Sequence, residues 1–377
     1  MASDDLLLSR APVFDREART CGYEVRLGPR RAAVRARGAP AGFFAGLLAD
    51  VTGSRTMYVE MTQGLLAHDL LDHLPCQHTV AVLPADSDES PPLLDACRVL
   101  KGSGYRIAID IHCLGAPAGP LAEIADVIRI DFDSLLGEDR LRAVQEYGAP
   151  SRQVLATNVR TTRTFLEGRE QGFALFQGGF HGRPANMLGD RRTLARDPAW
   201  LLLRESVRDP LDADRLRELL VENGVDEREA GGILESGVPE VILGSCLHRA
   251  LARLARGKPL EVLVVSLARA RLCSRIGRHL GDRTGERGLF LTGSLSCLDA
   301  VLDMPLDHAL ADLCVDPLVA RGLDGHGAAG RVLELVLAHE RGEWDRVSTL
   351  AARAGLELSA LLREYRGAVR WADAVAA

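Results

Sequence analysis

Apolar positions follow two different patterns along the chain. Up to Pro184 they gather into short, nearly continuous runs: LLLSRAPVFD, GYEVRLG, TMYVEMT, HTVAVLP, YRIAIDI, DVIRIDF, QVLATNV and FALFQGG. Runs of this length, rich in Val, Ile, Ala and Leu, suit strands buried on both faces of a parallel sheet. Stretches with helical spacing separate them, among them AGFFAGLLADV, PPLLDACRVLKGSG, GPLAEIADV and TTRTFLEGREQG. This alternation predicts a closed (β/α) barrel, in which function sits where strands end and loops begin. Those ends fall near Glu24, Glu60, Ala81, Asp110, Asp131, Thr157 and Gln177.

After Pro184 the period becomes helical. In KPLEVLVVSLARARLCSRIGRHLG, Leu260, Leu263, Val264, Leu267, Leu272, Ile276 and Leu280 recur near helical spacing, with Pro259 suited to the first turn and Gly281 to the stop. Arg269, Arg271, Arg275 and Arg278 fall largely off that stripe and read as a solvated face. Further helices are predicted over Gly285 to Leu302, Ala328 to Arg341, Trp344 to Ala354 and Glu357 to Ala372. The Gly-, Pro- and Asn-containing segment from Gly182 to Arg192 marks a boundary. The expected organisation is a barrel domain over 1–186 and an all-helical domain over 187–377.

Composition removes whole classes. The net charge of −6 and an aromatic content of 5% argue against a nucleic-acid polymer as partner. No apolar stretch approaches the roughly 20 residues that span a bilayer, and the acidic start with its short apolar run is no signal peptide. A cytoplasmic protein without membrane contact is the expectation. The cysteines Cys21, Cys76, Cys97, Cys113, Cys246, Cys273, Cys297 and Cys314 are scattered without a CxxC pair, so they read as small apolar residues and not as a zinc site.

Four stretches resemble EAL domains, the phosphodiesterases that hydrolyse cyclic di-GMP: APVFDREARTCGYEVRLG, KGSGYRIAIDIHCLG, ADVIRIDF and GFALFQGGFHGRP, in the family's order. The second half resembles HDOD domains in ARARLCSRIG, GLFLTGSLSCLDAVLDMPL, ELVLAHERGEWDRV and LLREYRGAVRWADAV. The resemblance implies a TIM-like barrel followed by a helical HDOD module that docks another signalling protein, and barrels that pair as homodimers.

The resemblance also implies a metal site. Phosphodiester hydrolysis needs an activated water, which paired Mg²⁺ or Mn²⁺ ions supply when several oxygen ligands hold them. Glu24, Glu60, Asp110 and Asp131 match or approximate ligand positions. Ala81, Ile111 and Thr157 stand where the family carries carboxylates, and Arg129 where it carries an assisting Lys. The acids nearest Ala81 in sequence are Asp86 and Asp88, and Arg26 and Arg30 follow the EAL position. Glu24, Arg129 and Gln177 are the ligand-binding candidates, with Arg129 and Gln177 suited to hold a phosphate. In the second half Asp307–His308 reverses the metal-binding order, His339 precedes Glu340, and His326 lies in GLDGHGAAG, a helix-joining loop; Trp344, Tyr365 and Trp371 read as packing residues.

The sequence therefore suggests a signalling scaffold with no catalytic residues and no cofactor, Mg²⁺ or Mn²⁺ entering only if the remaining carboxylates still bind it. A cyclic di-GMP receptor and a residual phosphodiesterase are the alternatives.

Overall fold

The eight apolar runs become the eight strands of one closed barrel in a computed structural model of the protein. Residues 6–28, 41–61, 74–84, 87, 89–114, 119–185, 194–236, 239–280 and 285–377 are described, with backbone alone for 41–44 and 239–240. The strands are β1 (Leu7–Phe14), β2 (Thr20–Gly28), β3 (Thr56–Glu60), β4 (Thr79–Val82), β5 (Arg106–Asp110), β6 (Val127–Asp131), β7 (Gln153–Thr157) and β8 (Leu175–Gln177). They neighbour one another in chain order.

One feature departs from uniform βα alternation. β2 through β8 run parallel, but β1 runs antiparallel to both β2 and β8. The cause is the turn between β1 and β2. The Asp15 carboxylate accepts from the backbone N–H groups of Glu17 and Arg19, each at 2.9 Å, and Ala18 takes φ 58°. So short a link joins only antiparallel strands; a parallel crossover needs about a dozen residues.

Among the described residues five helices cover the barrel: α1 (Ala41–Thr52), α2 (Pro91–Gly102), α3 (Pro120–Ile124), α4 (Gly137–Tyr147) and α5 (Thr162–Gln171). Phe165 of α5 stacks on Phe180 (4.7 Å between centroids) and meets Phe176 of β8 edge-on at 4.6 Å. Inside the barrel, Val13, Tyr58, Val80, Val82, Ala108, Val127, Leu155 and Leu175 form one apolar cluster. This layer lies beneath the polar strand ends.

That cluster corrects the expected register of β4. Val80 and Val82 belong to the interior cluster, whereas Ala81 pairs with Val59 and Ile107 on the alternate face. The inward position level with Glu60 is therefore Val82. Neither residue carries a carboxylate.

The chain divides into two compact units between Phe180 and His181. The second is helical throughout its described residues: α6 (Pro198–Ser206), α7 (Ala213–Glu222), α8 (Glu227–Glu235), α9 (Pro239–Leu254), α10 (Glu261–Leu280), α11 (Gly285–Leu295), α12 (Leu298–Leu302), α13 (Leu306–Leu310), α14 (Pro317–Leu323), α15 (Gly327–Arg341), α16 (Trp344–Ala354) and α17 (Leu358–Ala376). The one helix expected over Gly285 to Leu302 is two, α11 and α12. At the break, the Ser296 hydroxyl donates to the Gly293 carbonyl at 2.7 Å and Cys297 leaves helical geometry at φ −110°, ψ 6°. A serine bonded to its own backbone competes with the helical ladder.

The Arg-rich face of α10 is only partly solvated. Arg269 is bidentate on Glu340 of α15 and reaches Ser296 and Cys297. Arg271 lies over the Trp371 ring at 5.2 Å. Gly293 makes the α10–α11 approach possible, because a Cβ there would stand 2.5 Å from the Arg269 carbonyl oxygen. Gly293→Ala is expected to cost about 1–3 kcal/mol, since backbone and not a flexible side chain must move. Tryptophan fluorescence during urea unfolding checks this, because Trp200, Trp344 and Trp371 are the only tryptophans and all lie in the helical unit.

Candidate functional site at the barrel mouth

The parallel strands carry their polar inward residues at their C-terminal ends, and one carboxylate organises them. Glu24 of β2 is 14% exposed. Its Oε1 accepts from Arg129 Nη2 at 2.9 Å. Its Oε2 accepts from Gln177 Nε2 at 2.8 Å and from Arg26 Nε at 3.3 Å. Burial alone would raise the Glu24 pKa, but the Arg129 and Arg26 guanidinium groups and the Gln177 amide outweigh it. They hold the carboxyl below its ordinary value of 4.5.

Asp110 of β5 lies level with Arg129 of β6. Burial raises its pKa, and the negative charges of Glu24 and Asp131 add to that shift against the opposing pull of Arg129 and His112. The gap from Arg129 Nε to Asp110 Oδ1 is 3.8 Å, beyond hydrogen-bond distance. The Arg129 Nε–H is consequently buried with no hydrogen-bond partner, a state that costs about 1–3 kcal/mol where it persists.

Asp131 at the end of β6 faces a different set. Its Oδ1 accepts from the Asp133 backbone N–H at 2.9 Å and from Asn158 Nδ2 at 3.3 Å. Asn158, in the left-handed region at φ 60°, also reaches Asp133 at 3.2 Å and accepts from Arg160 Nε at 2.9 Å. Sequence reasoning missed Asn158, Asp133 and Arg160. The available signal was an Asn directly after a strand, a residue that tolerates left-handed backbone. Glu60, the last residue of β3, is exposed.

The structure thus joins Glu24, Arg129 and Gln177, with Arg26 as a fourth member and Asp110 beside them. Arg30, Asp86, Asp88 and much of the Gly182 to Arg192 segment lie outside the described residues. Among the described residues no three His, Cys, Asp or Glu side chains are placed to hold one metal ion. Both oxygens of Glu24 are already occupied by N–H donors, and a guanidinium stands beside it, so the residues present do not fit a paired divalent site.

Among the described residues the thiols join no group placed to hold a metal ion. Burial pushes Cys21 and Cys97 up to about 11 and Cys246 to about 12, which keeps them protonated at neutral pH.

Comparison with known proteins places this mouth in context. No protein-family model matches the chain. An uncharacterized protein of Bacillus subtilis, YuxH, is 24% identical over 85% of this chain and 84% of its own length. The cyclic di-GMP phosphodiesterase CdgJ of Vibrio cholerae is 25% identical over 80% of this chain and 74% of its own. A solved EAL enzyme with cAMP and cyclic di-GMP bound aligns at 12% identity and a TM-score of 0.37, over 46% of this chain and 60% of that one, less than two thirds of it.

The chain is similar over much of its length to a cyclic di-GMP phosphodiesterase. This kinship corrects one expectation. The reading of a protein that is not an enzyme rested on missing carboxylates, yet the named relative that covers most of the chain is a phosphodiesterase. Side-chain substitutions at strand ends do not by themselves establish loss of activity. No described helix is long and apolar enough to cross a membrane.

Proposed function

We propose that this chain is a cyclic di-GMP signalling protein whose barrel mouth takes the dinucleotide. One observation carries the reading: Arg129 keeps a buried N–H without a partner in a mouth that already holds Gln177 and Arg26. A phosphodiester oxygen satisfies such a donor with a charge-assisted bond. Kinship with a cyclic di-GMP phosphodiesterase over 80% of the chain supplies the ligand class.

The helical unit is read as an HDOD-type output module that docks a second signalling protein, and pairing of two copies through the barrel belongs to the same proposal. The stretches that resemble HDOD domains support the first part. Analytical ultracentrifugation with and without nucleotide tests the second.

Calorimetric titration with cyclic di-GMP is expected to give saturable binding. Arg129→Ala should weaken it by about tenfold or more, the loss of one charge-assisted hydrogen bond. Chromatography of the same mixtures in Mg²⁺ or Mn²⁺ scores any linear dinucleotide formed. Absence of heat at saturating ligand concentrations would sink the assignment of cyclic di-GMP.

A further inference from the structure

We propose that the Arg129 guanidinium is the resident cation of the barrel mouth, so that the site receives a phosphodiester without a divalent metal ion. The inference rests on the reading that a dinucleotide enters there, but its own argument is local.

Three observations converge on it. Arg129 binds Glu24 Oε1 at 2.9 Å, and the other oxygen of Glu24 takes Gln177 and Arg26. Three of the roughly four acceptor directions of this carboxylate are thus taken by N–H donors. A divalent ion beside Glu24 and Asp110 would also stand next to the guanidinium, a like charge in a poorly solvated place. Finally, Arg129 Nε is buried, unpaired, and 3.8 Å from Asp110 Oδ1. One nitrogen of the fork, Nη2, is therefore committed to the protein, while the Nε–H is unsatisfied. A planar guanidinium that holds a carboxylate through one nitrogen can offer another N–H to a phosphate oxygen, a geometry that a lysine ammonium does not reproduce.

The test uses Mn²⁺ itself, read by the loss of the free-ion paramagnetic signal, on the full chain. Wild type is expected to match Glu24→Gln, with no uptake attributable to the mouth. Arg129→Met should bind Mn²⁺ at least about tenfold more tightly, because a like charge has been removed from beside two carboxylates. Glu24→Gln in the Arg129→Met background should return to the wild-type level. Cyclic di-GMP affinity of wild type should be the same in EDTA as in Mg²⁺.

Wild-type Mn²⁺ uptake that Glu24→Gln removes would overturn the proposal, and so would nucleotide binding that vanishes in EDTA. The wild-type comparison decides the matter even if Arg129→Met folds poorly. Absence of nucleotide binding in both buffers would overturn the ligand assignment, whereas the Mn²⁺ comparison stands alone and decides the cation.

Discussion

Arg129→Ala is expected to lower stability at neutral pH by about 3 kcal/mol, the low end of what removing one partner of a buried ion pair costs. The low end applies because Arg26 and Gln177 stay on Glu24. Glu24→Gln in the same background should recover much of the loss, since the penalty lies in the stranded charge and not in the missing arginine stem. The effect also has a sign in pH. In wild type the Glu24 pKa lies below its ordinary value of 4.5, so its contribution is present above the unfolded-state pKa and is lost as pH falls through the folded one. In Arg129→Ala burial dominates and the folded pKa rises above the unfolded. The penalty is then present above the folded pKa and relieved below the unfolded one. Wild-type and variant stabilities should therefore converge as pH falls from 7 towards about 4. Urea unfolding at the two extremes checks this, and parallel curves would remove Glu24 from the account.

The second large effect is expected in the helical unit, from His339 of α15. Its ring is fully buried, with neither nitrogen hydrogen-bonded. It packs at 4.4 Å from the Tyr365 ring and 5.6 Å from Trp344. Burial lowers its pKa from 6.5 to about 3. Below 6.5 the unfolded chain takes up a proton that the folded chain refuses. The unfolded state then binds more protons, and stability falls as pH falls, by up to about 1.4 kcal/mol per pH unit until about pH 3. His339→Leu should remove that slope, and at neutral pH it should cost little, because two buried polar atoms without partners disappear. Tryptophan fluorescence follows the transition, Trp344 being in contact with the ring. Equal slopes in wild type and variant would mean that the ring is hydrated in the native state.

Much of the architecture was legible because its causes are local. Each apolar run became a strand, and α10, α15, α16 and α17 follow the helical spacing to within a few residues. What escaped has non-local or compensating causes. Helix α4 shows little apolar stripe, because its inward face includes Arg140, whose guanidinium lies over the Phe132 ring at 3.9 Å and donates to the Phe132 and Leu135 carbonyls. The face of Ala81 depended on strand register, which one residue of slip inverts. The reversed direction of β1 was set by a short turn within a pattern that reads like its neighbours.

The site was half legible. Glu24, Arg129 and Gln177 were each identifiable as polar residues at strand ends. Sequence gave no means of seeing that they would satisfy one another, because residues 24, 129 and 177 meet only through closure of the barrel. Asn158 was hidden for a further reason: its role depends on a left-handed backbone that places its amide between Asp131 and Asp133.

The antiparallel first strand has a kinetic consequence. β1 meets β8 through Val13↔Gln177 and Phe14↔Phe176, so the barrel closes through contacts between residues more than 160 positions apart. Loop-closure entropy makes such a pairing slow to form. Gln177, which holds Glu24, arrives on the strand that completes the ring. On a ribosome, the first seven strands would emerge with Glu24 already buried in part but still lacking its amide partner. The site is therefore a product of the final closure, and a chain truncated before residue 177 would lose the mouth and the seam together.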